Sequence, residues 1–314
     1  MTDSKAIFVV GTTASGKSEW ALELAEEVSG VILNCDSIQI YEHLKIGSAQ
    51  PTAKDKARVP HHLFSYVKPP DEVTAGQYRR AHLEILKALK TSAFVVGGTG
   101  FYFQALEKGM FATPAADEKI QQQIEEELAE PNGEDILWKE LQQVDPLSAA
   151  KIHKNDHYRL VRAVEVIRRE GRPLSEIKKA FEEKTEPYPW RYLKTGVRWP
   201  KEKLEQRVRA RTHVMLAKGL VEEVKGLINQ GLESWAPLQS VGYKEVMTML
   251  KENKNESWLQ DEIIKNTMRL AKKQRTWFQR DPDILWFEGA TEFKLFKEKV
   301  IEFIAGPEKT PDRA

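Results

Sequence analysis

The string Gly11-Thr12-Thr13-Ala14-Ser15-Gly16-Lys17-Ser18 fits the pattern G-x-x-x-x-G-K-[ST] and constrains the fold more than any other stretch of the chain. Such a loop works only between a strand and a helix, and both flanks comply. Ala6 to Val10 is a short apolar, β-branched run that reads as a buried parallel strand, and a helical pattern runs from about Lys17 to Val28. In that setting the glycines let the backbone curl until successive N–H groups converge, at a helix N-terminus, on phosphate oxygens. Lys17 would neutralise the terminal phosphate and Ser18 would hold Mg²⁺. A phosphate site is expected; the loop alone does not say whose phosphates.

Further strands read at Val31 to Leu33, Ala93 to Val96, Thr195 to Trp199 and Ile284 to Phe287, with helical periodicity over residues 77–90. Strands alternating with helices imply βαβ units and a parallel sheet with helices on both faces. Between about Asp117 and Glu183 the strand pattern stops and the segment reads as helical. The expected architecture is therefore an α/β core with a P-loop, residues 1–116 and 190–305, interrupted by a helical insertion at 117–189. The tail at 306–314 is expected to be disordered.

No apolar run approaches the ~20 residues that span a bilayer, and the N-terminal apolar stretch is too short for a secretory core. A single cysteine, Cys35, excludes an internal disulfide and a cysteine-based zinc cluster. A cytoplasmic protein with no membrane association fits, and nothing points to an obligate protein partner. Net charge is +1, so any RNA-binding surface has to be local. Residues 263–280 offer one, with Lys265, Arg269, Lys272, Lys273, Arg275 and Arg280 and no acid, interleaved with Trp277 and Phe278. That mixture suits an unpaired base and its phosphates, and equally an amphipathic helix with a charged outer face.

Three more places carry chemistry. Asp36 ends the second strand, at the sheet edge where α/β proteins bind ligands, and reads as a base, as a metal-associated acid, or as an Asp that caps its own turn. In Gly97-Gly98-Thr99-Gly100 the glycines read as a tight turn into a helix, and the Thr99 hydroxyl as facing a substrate or capping that helix. Arg207 and Arg211, four apart on a helix, either clamp an anion together or form a solvated basic face. A small-molecule or nucleotide kinase would use the same loop for ATP, but the strand ending at Val96 closes on glycines instead of an acid. A regulatory GTP switch lacks its Asn-Lys-x-Asp motif, since Asn253-Lys254-Asn255-Glu256 lies in a polar helical region.

Taken in order, the loop, Asp36-Ser37-Ile38-Gln39-Ile40-Tyr41, Gly97-Gly98-Thr99-Gly100, Arg159-Leu160-Val161-Arg162-Ala163-Val164-Glu165, Ser240-Val241-Gly242-Tyr243 and Lys272-Lys273-Gln274-Arg275-Thr276-Trp277 resemble the tRNA dimethylallyltransferase (tRNA isopentenyltransferase) family of bacterial type. The matches run from residue 6 to about 288. The resemblance implies that the loop grips the diphosphate of dimethylallyl diphosphate. The adenine 3′ of the anticodon, in the tRNA anticodon stem-loop, then attacks the allylic carbon without ATP hydrolysis. It further implies that Asp36 accepts a proton, that Thr99 orients the reacting groups, and that Lys17, Ser18, Mg²⁺ and Arg211 stabilise the departing diphosphate. Family stretches that contact tRNA match Asp36-Ser37-Ile38-Gln39, Thr99, Gln121, Tyr158-Arg159-Leu160-Val161-Arg162, Gln239-Ser240-Val241-Gly242-Tyr243-Lys244 and Lys272-Lys273-Gln274-Arg275-Thr276-Trp277-Phe278-Gln279. Departures are few. Thr12 stands where the family usually has proline, Lys244 where arginine is frequent, and Gln121 where a basic contact can occur.

Overall fold

A computed structural model describes residues 4–109, 117–182 and 184–306. In chain order its elements are β1 (Lys5–Gly11), α1 (Lys17–Glu27), β2 (Val31–Asn34), α2 (Ala53–Arg58), β3 (His61–His62), α3 (Ala75–Ala88), β4 (Ala93–Gly97) and α4 (Gly100–Lys108). Then come α5 (Glu118–Ala129), α6 (Gly133–Val144), α7 (Pro146–Ala149), α8 (His157–Glu170), α9 (Leu174–Glu182) and β5 (Arg191–Arg198). The chain closes with α10 (Lys201–Ala217), α11 (Leu220–Ile228), α12 (Tyr243–Glu252), α13 (Glu256–Phe278), β6 (Leu285–Glu288) and α14 (Phe293–Ala305). Two compact units emerge, one comprising Met1–Leu106 with Tyr188–Ala314, the other Glu107–Pro187. The expected disordered tail from residue 307 on lies outside the described residues. No described helix is long and apolar enough to cross a membrane.

In the first unit the described strands form one parallel sheet in the order β3-β2-β4-β1-β5-β6. β1 is buried along its whole length because both sheet faces are covered. Its alternation decides which layer each side chain joins. Ile7 and Val9 enter a core with Trp20, Leu24, Phe94, Phe296 and Val300, which seats α1 and α14 on one face. Phe8 points the other way, stacked on Tyr192 at 4.7 Å and beside Phe103 and Tyr188. Tyr78 of α3 and Tyr102 of α4 stack 4.0 Å apart on each other. Lys5, buried at the strand's start, donates from Nζ to the Ile304 and Gly306 carbonyls at 3.0 and 2.6 Å, closing the C-terminal end of α14.

The helices that reach the ligand edge are set by local chemistry. Thr74 and Gln77 make a capping box for α3, and the Asn255 side chain accepts from Trp258 N–H at 2.9 Å to open α13. That last contact corrects one expectation: Asn253 to Asn255 form a break between α12 and α13, with Asn253 in a left-handed conformation as helix cap, and only Glu256 is helical. Two strands also differ from the sequence reading. β5 starts at Arg191 because its first residues pair along Lys5 to Phe8, and the two-residue β3 is too short to leave a periodic signature.

The second unit is helical, and its core joins Ile124, Leu137, Leu141, Leu160, Val164 and Ile177. Asp145 fastens two of its helices, accepting from Ser148 N–H at 3.0 Å and from Ser175 N–H and Oγ at 2.8 and 2.7 Å. The Arg168 guanidinium meets Glu127 and Glu140 at 2.7 and 2.6 Å. The unit spans Glu107–Pro187, whereas the sequence reading set the insertion at 117–189.

Because Phe8 is the centre of the aromatic layer, Phe8→Ala is expected to lower unfolding free energy by about 3–5 kcal/mol, measured as a fall in denaturation midpoint at unchanged m-value.

Candidate functional site

The loop after β1 is a curl held from outside. Ala14 and Gly16 both have positive φ, 61° and 88°, and a left-handed alanine costs roughly 1–2 kcal/mol. Two side chains from later in the chain secure it. Arg207 of α10 donates from Nε to the Ala14 carbonyl at 2.7 Å, and the Trp199 indole donates to the Ser15 carbonyl at 2.7 Å. The guanidinium lies 4.5 Å above the Trp199 ring, so the two act as one brace. Arg207 thus anchors the loop through its Nε, a contact that neither the clamp nor the solvated-face reading of Arg207 and Arg211 included. Neither Arg207's role nor that of Trp199 is visible in the sequence, because both depend on a contact across more than 180 residues.

Inside the curl stands an electrostatic imbalance. Lys17 and Arg211 converge near one carboxylate, Asp36. Burial pushes the Lys17 ammonium down to about 8; Asp36 pulls it back up and Arg211 pushes it further down. Burial likewise lowers Arg211 from its ordinary value, against the pull of Asp36. Each cation leans on a backbone carbonyl, Lys17 on Thr12 at 3.1 Å and Arg211 on Ser48 at a long 3.5 Å. Two enclosed positive charges beside one negative charge favour an entering anion.

Asp36 and Thr99 stand side by side at the carboxyl ends of β2 and β4. Asp36 Oδ1 accepts from Ile38 N–H at 2.9 Å, so the self-capping turn is real; that bond engages only one of its two carboxylate oxygens. Thr99 Oγ1 accepts from Ser37 N–H at 3.0 Å and lies 3.3 Å from the Ser37 hydroxyl. Above them opens a cavity of about 410 Å³, within the roughly 300–1,000 Å³ usual for small-ligand pockets. Its walls bring together Thr13, Asp36, Ser37, Ile38, Thr99, Arg211, Gln239, Ser240, Val241, Gly242 and Gln274.

Gln274 does more than line it. Its Oε1 accepts from Thr13 N–H at 2.8 Å and its Nε2 donates to the Gly98 carbonyl at 3.0 Å, tying α13 to the phosphate loop and to the end of β4. A Cβ on Gly98 would overlap that amide, so this glycine serves a close approach as well as a turn. Another anchor is Glu223 of α11, which sequence reasoning missed. Its carboxylate accepts from the N–H groups of Lys45, Ile46 and Gly47 and from the Tyr243 hydroxyl at 2.7 Å, fixing the segment that carries Ser48.

Several residues matched to RNA contact have other duties. Leu160, Tyr243 and Phe278 are buried: Leu160 in the core of the second unit, Tyr243 against Gly47 and Glu223, Phe278 beside Phe103. They hold the surfaces on which their neighbours sit and do not themselves reach a solvent-borne ligand. The amide of Gln39 is spent on the Ser48 and Ala49 carbonyls at 3.0 and 3.1 Å. By contrast Lys272, Lys273, Arg275 and Thr276 are exposed along α13 and Gln279 just after it, and Trp277 is 37% exposed with its ring perpendicular to that of Phe101. In the second unit Tyr158 is 82% exposed, Arg159 and Arg162 face Asp156 and Glu165, Val161 is partly buried in the core, and Gln121 donates to Glu125 at 3.3 Å. Ser18 is exposed at the start of α1. Among the described residues no group of three or more His, Cys, Asp or Glu side chains could hold a metal.

A parallel α/β sheet with a braced P-loop, opening onto a cavity with a carboxylate at its foot, defines a protein of the P-loop class with an anion-favouring site. Comparison with known proteins narrows this. A family model described as IPP transferase matches residues 39–281 and one described as isopentenyl transferase matches residues 4–60. A tRNA dimethylallyltransferase from Bdellovibrio bacteriovorus is 49% identical over 97% of this chain and 99% of its own length. Among solved structures, the full-length tRNA isopentenylpyrophosphate transferase from Bacillus halodurans superposes with a TM-score of 0.70 at 28% identity, covering 96% of each chain. A eukaryotic dimethylallyltransferase captured acting on tRNA has a TM-score of 0.80 over 99% of this chain and 82% of its own, at 23% identity, and shares the fold. The chain belongs to the IPP transferase family.

The lowered pKa of Lys17 gives a test. Below about 8 the ammonium is charged and available to an anion; above that it is progressively neutral in the free protein. Pyrophosphate binding measured by calorimetry is therefore expected to weaken as pH rises past about 8, toward a limit of about tenfold per pH unit. Lys17→Ala should bind weakly throughout and keep only the pH dependence of pyrophosphate's own ionisation, so the lysine's share is the difference between the two profiles.

Proposed function

We propose that this protein transfers the dimethylallyl group of dimethylallyl diphosphate to the exocyclic amine of the adenine 3′ of the anticodon in tRNA, releasing diphosphate. The observation that carries the reading is the meeting of an anion cradle and a carboxylate at the foot of one cavity. A leaving group and an incoming base can there be held together. In this proposal the loop N–H groups of residues 11–18, with Lys17 and Arg211, hold the diphosphate of the donor. Their positive charge offsets the charge that builds on the bridging oxygen as its bond to the allylic carbon breaks. The adenine enters from the side lined by Gln239 to Gly242 and α13.

An adenine amine is a poor nucleophile because its lone pair is delocalised into the ring. As the nitrogen forms its bond to the allylic carbon, the free oxygen of Asp36 takes the proton, while Oδ1 stays on Ile38 N–H and keeps the carboxylate aimed. Thr99, aligned by Ser37, orients the reacting groups. Unstacking the base costs a few kcal/mol and is cheapest in a single-stranded loop such as the anticodon. Mg²⁺ fits as a companion of the diphosphate. The donor set offers the Ser18 hydroxyl and no carboxylate cage among the described residues, the pattern of an ion held mainly by substrate phosphates and water. When bound it supplies further charge neutralisation on the leaving group. A cytoplasmic setting and a contribution of Tyr158 to Arg162 to tRNA contact belong to the same proposal. A kinase reading finds less support, because β4 ends in Gly97 and is followed by Gly98 where an acid is needed.

Two measurements test this. Labelled dimethylallyl diphosphate with unmodified tRNA is expected to label the RNA without ATP; ATP consumption with unlabelled RNA would defeat the reading. Asp36→Asn keeps an acceptor for Ile38 N–H but loses the base, so single-turnover transfer should fall by about 10²–10⁴-fold while both substrates still bind. Near-normal turnover would remove Asp36 from its role.

A further inference from the structure

Residues 45–50 form a tight turn at the edge of the cavity. Ala49 N–H closes it on the Ile46 carbonyl at 3.0 Å and Gln50 N–H on the Lys45 carbonyl at 3.1 Å, with Ala49 at a left-handed φ of 52°. The N–H groups of Lys45, Ile46 and Gly47 converge, the arrangement that makes a backbone nest for an anion. Glu223 of α11 fills that nest. Its Oε2 accepts from Lys45 and Ile46 N–H at 3.1 and 2.9 Å, and its Oε1 from Gly47 N–H at 3.2 Å and the Tyr243 hydroxyl at 2.7 Å. The next carbonyl along the turn, that of Ser48, accepts from Gln39 Nε2 at 3.0 Å and from Arg211 Nη2 at 3.5 Å. Gly47, Ser48 and Arg211 all line the cavity, whereas Glu223 does not. A Cβ on Gly47 would overlap the Tyr243 ring, so the turn has little room to shift.

We propose that Glu223 is a positioning residue for the reaction: by locking the nest at residues 45–47 it fixes where the Ser48 carbonyl stands, and that carbonyl aims Arg211 at the diphosphate. This rests on the transfer reading above, in which Arg211 faces the leaving group. A carboxylate is the group this place requires. Four donors converge on its two oxygens, which offer about four lone-pair sites, while an amide would present one oxygen and two N–H groups of its own. The Arg211 contact is the sensitive link. At 3.5 Å it stands at the outer limit of a hydrogen bond, so a small shift of the carbonyl releases the guanidinium. A misplacement of about 1 Å, even one that begins far from the reacting atoms, can cost about a hundredfold in rate.

The test is a double-mutant cycle between Glu223→Gln and Arg211→Ala, read by calorimetric binding of inorganic pyrophosphate. Glu223→Gln is expected to weaken pyrophosphate about tenfold in the native background, and by no more than about twofold when Arg211 is already alanine. Glu223→Asp keeps the charge on a shorter stem. It should show a smaller loss with the same dependence on Arg211, and it carries the test if the glutamine variant does not fold. In steady-state transfer, Glu223→Gln should lower kcat about tenfold at little change in KM for RNA. A glutamate that only supports the fold would lower the unfolding midpoint and leave the cycle additive. Equal losses with and without Arg211, or native pyrophosphate affinity in both Glu223 variants, would overturn the proposal. Coupling in pyrophosphate binding with no transfer by the native protein defeats the prenyl-transfer reading and leaves Glu223 as the aligner of Arg211. Transfer by the native protein with an additive cycle defeats the Glu223 assignment alone.

Discussion

Two positive charges enclosed beside one negative charge are the constraint on which the rest of the first unit depends. Lys17 and Arg211 would each be better solvated in water, and Asp36 offsets only part of that cost. The fold accepts the imbalance because the groups come from three rigid places: the helix after the loop, the end of β2 and the middle of α10. Parallel strands buried on both faces hold the first two in register, and the Arg207 and Trp199 brace keeps the loop in a curl that Ala14 alone would not favour. The site is therefore pre-formed, and the free energy of anion binding is not spent on assembling it.

Asp36 illustrates how one side chain can cap a turn and still line a cavity. Its turn-capping oxygen and its remaining oxygen are chemically equivalent in solution and different in the protein. The capping bond fixes the carboxylate plane, and with it the direction in which the second oxygen faces the cavity. A sequence shows that an Asp at a strand end suits either duty. Only the three-dimensional arrangement shows one oxygen engaged by Ile38 N–H and the other left without a hydrogen bond.

What the sequence disclosed follows from the range of the interaction concerned. The loop was legible because strand, glycines, lysine and helix lie within about a dozen residues, and the sheet because its strands are continuous apolar runs. The exposed basic side of α13 was legible as a cluster of cations. The duties of Arg207, Trp199 and Glu223 toward distant backbone atoms, and the two hydrogen bonds made by Gln274, were not. Each joins positions more than 170 residues apart, and a polar side chain carries no mark of which backbone atom it will meet. Burial of Leu160, Tyr243 and Phe278 was hidden for a related reason. A motif match marks a stretch of chain, while packing sorts its members one by one into those that face solvent and those that support them.

At the start of α4, Gly100 lies so close against Trp277 that any side chain there would overlap the indole. Positions 100 and 277 thus occupy a single volume between them. Substitution at either is conditional on the other: a lineage that enlarges residue 100 has to shrink or reorient residue 277 in the same step. The fit between the turn and α13 therefore constrains the two positions jointly.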